Sequence, residues 1–146
     1  MIAAAGGVVL FLCMFLPWFD GTLTGRGASR VPVPTTTGWE SFGGVFDVSI
    51  VVLAAIPIGI AAAKANDSLP ALPLEQGALV LLAGVLLFAI VLLRLIDPPN
   101  VIDVAIPGLD LDTSRKAAAF GTALAAIAVG FGGYVQEMER LLAARG

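Results

Sequence analysis

The stretch from Phe15 to Asp47 decides the fold, and it reads FLPWFDGTLTGRGASRVPVPTTTGWESFGGVFD. An apolar segment ends at Phe19, a polar excursion follows, and a second apolar segment begins just after Trp39. Aromatic residues in such positions are typical of the interface ends of membrane-spanning helices. The stretch therefore predicts a helix end, a loop and a helix start at one membrane surface, with one acid, Asp47, inside the second helix.

The composition extends this prediction to the whole chain. Of the 146 residues, 58% are hydrophobic and only 13% are charged, about half the charged share of a usual soluble domain. Four blocks carry no charged side chain, namely residues 1–19, 48–63, 77–93 and 117–135. Since a helix needs roughly 20 apolar residues to cross a bilayer, we predict a single all-α transmembrane domain, an antiparallel four-helix bundle. We expect spans at about 1–19, 45–65, 75–96 and 114–135, followed by an amphipathic tail over 134–145.

The loops between the spans predict a small sheet on the extracytoplasmic side. Residues 29–37 of the first loop are rich in β-branched residues and proline, which favours an extended chain. In the third loop, residues 100–112 alternate apolar and acidic positions around Pro107 and Gly108, as a short hairpin does. Because an isolated hairpin is only marginally stable, we expect the two loops to share one sheet above the bundle.

Topology follows from the even number of spans, which puts both termini on one side of the cell membrane. With cytoplasmic termini, three cations lie inside, namely Lys64, Arg140 and Arg145. Five then lie outside, namely Arg26, Arg30, Arg94, Arg115 and Lys116, against the positive-inside rule. The long first loop and the expected sheet fit an exported face better, so we predict a multi-pass protein with cytoplasmic termini.

Asp47 and Arg94 are the candidate functional pair. Asp47 lies just inside the second helix, and Arg94 lies about one turn before the end of the third helix. The two helices are expected to be antiparallel neighbours, so both residues fall at the same membrane face. Ionisable groups inside a membrane are usually paired, which predicts an Asp47–Arg94 ion pair. In the alternative, each side chain extends independently to the head groups.

Two further sets of residues carry structural predictions. Trp18 and Trp39 are expected to be interface aromatics at the membrane surface, or else to cap a packed subdomain outside it. The last span repeats small residues at a four-residue interval, which lets helices approach closely. These candidate helix-packing residues are Gly121, Ala125, Ala126 and Gly130.

Catalytic, cofactor and metal sites have no support in the sequence. The chain has no histidine and one cysteine, Cys13, in an apolar segment, so a Ser/His/Asp or Cys/His set cannot form and the usual zinc and haem ligands are missing. Asp103, Asp110 and Asp112 lack the glycine and terminal glutamate of an EF-hand, and a solvated acidic loop is expected there. The net charge of −3, with no basic run, gives nucleic-acid binding no electrostatic support.

The quoted stretch also resembles a protein family. Phe15-Leu16-Pro17-Trp18-Phe19, then Gly38-Trp39-Glu40-Ser41-Phe42, and then Asp47 are similar to motifs of small four-span membrane proteins of actinobacteria. That family has no assigned activity, so the resemblance implies architecture alone.

Three functions remain open at this point. We expect a non-enzymatic structural or interaction protein, or an accessory subunit of a membrane complex, whose partners are the lipid bilayer and either a second copy or another membrane protein. The first alternative is a small transporter or channel component that uses Asp47 and Arg94. The second alternative is a lipid-binding membrane protein.

Overall fold

The structure, a computed structural model, describes residues 1–25, 30–68, 75–98 and 109–145. It is mostly helical, with one small sheet. The helices are α1 (Ile2–Cys13), α2 (Gly38–Ser41), α3 (Val45–Ala65), α4 (Gln76–Ile96) and α5 (Ala117–Ala143). The strands are β1 (Pro17–Gly25), β2 (Arg30–Thr37) and β3 (Leu109–Arg115).

Three helices of the described ranges, α3, α4 and α5, are long and apolar enough to cross a membrane. Their apolar residues come from the three uncharged blocks after the first loop. The amphipathic tail is the continuous end of α5, which runs without a break to Ala143. The prediction of a mostly helical chain with helices of membrane-spanning length is confirmed at this level.

The first helix ends earlier than predicted. It stops at Cys13 and has 12 residues, so it is about 18 Å long, whereas a hydrocarbon core is about 30 Å thick. The chain then turns through residues 14–16 and enters β1 at Pro17. A proline disfavours helical backbone in the residue before it, and the residues after Pro17 pair with two other strands. Residues 14–19 are therefore a turn and a strand.

The four longer helices contact one another pairwise. The α4–α5 contact is the most extensive, α1 packs against α5 and α3, and α3 also packs against α4. A core of fully buried side chains lies between them. It includes Leu10, Met14, Ile50, Leu87, Val91 and Ala126.

Glycines set the closest of these contacts. Along α4 and α5, Gly77 faces Glu137, Leu81 faces Gly133 and Gly84 faces Gly130. A β-carbon on Gly77 would lie 2.9 Å from the backbone nitrogen of Glu137, which is closer than real side chains approach. The missing β-carbons thus let the α4 and α5 backbones touch, as small residues do between transmembrane helices.

The two loops share one sheet, as predicted, but their expected strands, β2 and β3, do not pair with each other directly. Both pair with β1, whose residues were expected to form a helix end and a loop. The strand order of the sheet is β2-β1-β3, and both pairs are antiparallel. Leu23 of β1 lies opposite Val31 on one side and Leu111 on the other. The extended stretch expected over residues 29–37 is β2. The hairpin turn expected at Pro107 and Gly108 lies outside the described residues.

The start of the last helix differs from the prediction. A cap was expected among Asp112, Thr113 and Ser114, but β3 continues through these residues to Arg115. Residue 115 pairs with Phe19 of β1. The helix begins at Ala117, and its N-cap, Lys116, makes no side-chain capping bond. Strand pairing with β1 therefore moves the start of α5 by three residues from the predicted 114.

Candidate functional site

Trp18 ties the sheet to the end of α1. Its side chain is fully buried, and its indole N–H donates to the carbonyl oxygen of Cys13 over 3.0 Å. The last carbonyls of a helix have no partner within the helix, so this bond satisfies one of them. Trp18 is thus a core residue at a helix end and does not lie on the membrane-facing surface where an interface aromatic was predicted.

Trp39 lies at the surface, in an aromatic cluster with Phe11 and Phe15. The three rings meet edge to face, with centroids 5.5 to 5.9 Å apart. Both phenylalanines are exposed, and Trp39 is half-buried. Its indole nitrogen is buried and has no hydrogen-bond partner within the described ranges. This geometry suits the predicted interface aromatic, which remains a prediction.

Two cations at the junction of β3 and α5, Arg115 and Lys116, make contacts with neighbouring elements. The Arg115 guanidinium donates from Nε to the carbonyl oxygen of Leu95 over 2.6 Å, and from Nη2 to that of Ile96 over 3.5 Å. A cation at a helix C-terminus is also favoured by the helix dipole. Lys116 forms an ion pair with Asp20 of β1, and its backbone N–H donates to the carbonyl oxygen of Trp18 over 2.7 Å.

The short helix α2 returns the chain from the sheet to α3. Its first turn is a capping box, in which the Thr37 hydroxyl accepts from the Glu40 N–H, and the Glu40 carboxylate accepts from the Thr37 N–H and hydroxyl. The hydrogen bond from the Thr37 backbone, followed by that from its side chain, lowers the pKa of Glu40 from 4.5. Gly38 lies against Met14, where a β-carbon would come within 2.9 Å of the Met14 backbone.

The structure does not form the predicted Asp47–Arg94 ion pair. Asp47 is in the first turn of α3 and Arg94 is in the last turn of α4, so both lie at the sheet end as expected. Among the described residues, however, the ion pairs are Lys116–Asp20 and those of Arg140 with Glu75 and Glu137. Oδ1 of Asp47 and Nε of Arg94 are buried, and neither has a hydrogen-bond partner in this part of the chain.

Arg94 contacts an aromatic ring instead. Its guanidinium carbon lies 5.8 Å from the centroid of the Phe42 ring, a cation–π geometry. The two residues line a cleft of about 170 Å³ where α3 begins and α4 ends. Among the described residues, the cleft is lined by Phe42, Phe46, Ile90, Leu93, Arg94 and Asp97. Two features of the sequence could have indicated this cleft: the GW-x-x-F motif that ends at Phe42, just before α3, and an arginine, Arg94, in the last turn of the neighbouring α4.

A second cavity, of about 210 Å³, lies at the opposite end of the helices. Pro57, Lys64 and Gln136 are among the residues that line it. Oε1 of Gln136 is buried and has no partner in the ranges that the structure describes. The cavity adjoins Met1, so its shape depends on the first residues of the chain.

Three of the four predicted packing residues pack tightly within the chain. Ala125, Ala126 and Gly130 are buried. The carbonyl oxygen of Ala125 lies 3.0 Å from where a β-carbon on Gly6 of α1 would be. Gly121 is half-buried, and a β-carbon there would meet only the Cys13 sulfur, at 3.9 Å. The tightest glycines were missed: they are Gly84 of α4, against Gly130, and Gly133 of α5, against Leu81.

Chemically, the cleft offers a guanidinium, a carboxylate and aromatic rings as binding groups. Within the described ranges, no three Cys, Asp or Glu residues are close enough to hold a metal ion. Asp103 lies outside these ranges, while Asp110 and Asp112 belong to β3. No protein-family model matches the chain, and neither does a curated protein or a solved structure.

Proposed function

We propose that the chain is a four-span protein of the cell membrane that acts by binding a further helix, from a second copy or from another membrane protein. In this proposal α1 is the fourth span, the sheet is an extracytoplasmic cap, and the termini are cytoplasmic. The outer face of α3 is the binding surface. The observation that carries the proposal is the row of small residues there, Ala55, Gly59 and Ala62.

The surface of α1 supports its place in the membrane. Its outward side chains are large and apolar, among them Val8, Val9 and Leu12. Beyond the end of the helix, Phe15 and the aromatic cluster with Trp39 continue this apolar surface towards the sheet. The aromatic cluster thus extends the apolar surface of α1 beyond the end of the short helix. Aromatic residues are favoured at the edge of the membrane's hydrocarbon core.

The face of α3 supports the binding role. Only 17% of its span is buried in the fold, compared with 33% for α4 and 44% for α5. The side facing away from the other helices carries Ala55, Gly59 and Ala62, all exposed, and a β-carbon on Gly59 would meet no atom within 4 Å. A smooth face of this kind allows the close backbone approach that stabilises helix pairs in lipid, where no hydrophobic effect drives association.

The small residues of α5 no longer support association, because they are used inside the fold. Ala125 and Ala126 are buried in the core, and Gly130 faces Gly84. Association through α3 therefore replaces the association through the last span that the sequence alone suggested. Without histidine, a Ser/His/Asp or Cys/His set cannot form in this chain, and the absence of these two sets supports binding over catalysis.

The test is cysteine crosslinking in native membranes. In a Cys13→Ala background, Gly59→Cys places a thiol on the proposed surface, and Ala89→Cys places a matched thiol on the outward face of α4. We expect crosslinked product, to itself or to a partner band, from Gly59→Cys and little from Ala89→Cys. Equal crosslinking at both positions, or none at position 59, contradicts the proposal.

A substitution gives the complementary test. Gly59→Leu adds a bulky side chain to the proposed surface, whereas Ala89→Leu does the same on the other outward face. We expect Gly59→Leu to lower the crosslinking of Ala62→Cys and Ala89→Leu to leave it unchanged.

The transporter alternative is tested by a flux assay in liposomes. Flux of ions or solutes that is present in the wild type and lost in Asp47→Asn would favour that alternative.

Topology is tested with an impermeant thiol reagent on intact cells. Thr35 lies exposed on β2 at the sheet end, and Ala144 lies exposed beyond α5 at the opposite end. In the Cys13→Ala background, we expect Thr35→Cys to react and Ala144→Cys to react only after the membrane is opened. The reverse pattern places the sheet in the cytoplasm.

A further inference from the structure

The cleft between α3 and α4 opens on the outer surface of the helices, at the sheet end. Phe46 and Leu93 in its lining are 51% and 63% exposed, so the cleft is continuous with the apolar surface. Arg94 is its cation, and lies in the last turn of α4. The last turn of a span lies at the depth where hydrocarbon gives way to head groups.

The charge of Arg94 lacks an anionic partner among the described residues. Asp97 is three residues further on, a spacing at which helical ion pairs form, yet the two make no ion pair. Of the other acids at this end, Asp47 does not line the cleft, Asp20 is paired with Lys116, and Glu40 is hydrogen-bonded to Thr37. Arg115 is engaged with the carbonyls of Leu95 and Ile96. Within the described ranges, the half-buried guanidinium lies beside an aromatic ring and its buried Nε has no hydrogen-bond partner, so it is incompletely satisfied.

We propose that this cleft binds one phospholipid of the surrounding bilayer. The phosphate diester is held by the Arg94 guanidinium, and one acyl chain lies along Ile90 and Leu93. A guanidinium presents a planar set of donors that fits phosphate oxygens. The Phe42 ring fixes the plane of the guanidinium, and the exposed Asp97 carboxylate stays in water at the rim.

Two observations make a phospholipid the occupant. The first is charge complementarity, since the cleft offers a cation at head-group depth and a phosphate diester offers one negative charge there. The second is continuity, because the apolar part of the lining opens directly onto the surface that faces the acyl chains. A polar solute would leave Phe46, Ile90 and Leu93 unmatched, and a purely apolar molecule would leave Arg94 unmatched.

Native mass spectrometry of the detergent-solubilised chain tests the site, with phosphatidylethanolamine, phosphatidylglycerol and diacylglycerol as probes. We expect both phospholipids to form a one-to-one adduct and diacylglycerol, which lacks the phosphate, to bind at least about tenfold more weakly, as loss of a charge-assisted contact does. Arg94→Gln should weaken the phospholipid adducts by a similar factor. Lys64→Gln, at the opposite end of the helices, should leave them unchanged.

A second variant keeps the test valid if Arg94→Gln fails to fold. Leu93→Trp fills the cleft without removing the charge, and Leu86→Trp adds the same ring to an outward position of α4 away from the cleft. We expect Leu93→Trp to lose the adduct and Leu86→Trp to retain it. Equal binding of diacylglycerol, or adducts that survive both Arg94→Gln and Leu93→Trp, overturns the proposal.

Discussion

The guanidinium of Arg115 donates from Nε to the carbonyl oxygen of Leu95, 2.6 Å away, and so attaches β3 to the last turn of α4. Nη2 of Arg115 also donates to the carbonyl oxygen of Ile96, over 3.5 Å, and further bonds tie the sheet to other helix ends. The Trp18 indole binds the end of α1, and the Lys116 backbone N–H binds the Trp18 carbonyl where α5 begins. The carbonyl groups of Leu95 and Ile96 lie at a helix end, where carbonyls have no partner within the helix. The Cys13 carbonyl oxygen accepts from the Leu16 N–H as well as from the Trp18 indole.

Removing the Arg115 bonds should loosen the sheet. We expect Arg115→Gln to lower the stability of the solubilised protein by about 1.5–3 kcal/mol, the usual range for hydrogen bonds to charged groups. Hydrogen exchange should speed up at Asp97, the first residue after α4, and along β3. Thermal unfolding and exchange mass spectrometry measure the two effects.

The control for this change is Lys64→Gln, which removes an exposed cation that makes no ion pair within the described residues. It should change neither quantity. If Arg115→Gln unfolds at the wild-type temperature with unchanged exchange at Asp97, the Arg115 side chain does not hold the sheet in solution.

Gly84 should not tolerate even a methyl group. Its β-carbon would overlap the backbone of Gly130, and backbone atoms cannot move aside as a flexible side chain can. We expect Gly84→Ala to cost about 1–3 kcal/mol, as overpacking of a close contact does. Thermal unfolding in detergent is the measurement.

Gly121→Ala is the matched control on α5. A β-carbon there meets only the Cys13 sulfur at 3.9 Å, an ordinary contact distance, so the unfolding temperature should stay the same or rise slightly. A larger loss for Gly121→Ala than for Gly84→Ala would show that the last span packs as its small-residue spacing alone suggested.

The parts of the fold that depend on local sequence could be predicted. The bounds of α3 and α4, Val45–Ala65 and Gln76–Ile96, agree with the expected 45–65 and 75–96 within one residue. Long uncharged blocks bounded by loop residues determine such helices, because the bilayer requires a fixed length and the helix satisfies its own backbone. That the two loops share a sheet could also be predicted, because an isolated hairpin is only marginally stable and needs a further strand.

The parts that depend on distant partners could not be predicted. The end of α1 was predicted too late in the chain, because residues from Pro17 onwards form a strand that pairs with two others. Trp18 in this strand is held in the core by its hydrogen bond to the Cys13 carbonyl. The Asp47–Arg94 pair was expected because charge and depth matched. Depth along two helices does not fix the direction in which side chains point, and the Arg94 guanidinium lies over Phe42 instead.

The two tryptophans should respond differently to quenchers. With Trp39→Phe, the remaining Trp18 is fully buried, so we expect a blue-shifted emission that iodide barely quenches. With Trp18→Phe, the remaining Trp39 lies in the half-buried aromatic cluster, and lipids brominated near the head group should quench it strongly. Steady-state fluorescence in liposomes measures both. Strong iodide quenching of Trp18 would place it at the surface after all.

Acid should open the first turn of α2 through Glu40. Hydrogen bonds from Thr37 hold the pKa of the Glu40 carboxyl below 4.5, so the folded state favours the ionised form. The stabilisation is therefore complete above about pH 4.5 and is lost as the pH falls through the lower folded pKa. We expect the amide resonances of Thr37 and Ser41 to be constant from pH 7 to 5 and to shift below 4.5. Glu40→Gln, whose amide oxygen can still accept from Thr37, should abolish this acid transition while the turn stays formed at neutral pH. An acid transition that persists in Glu40→Gln assigns it to another carboxyl group.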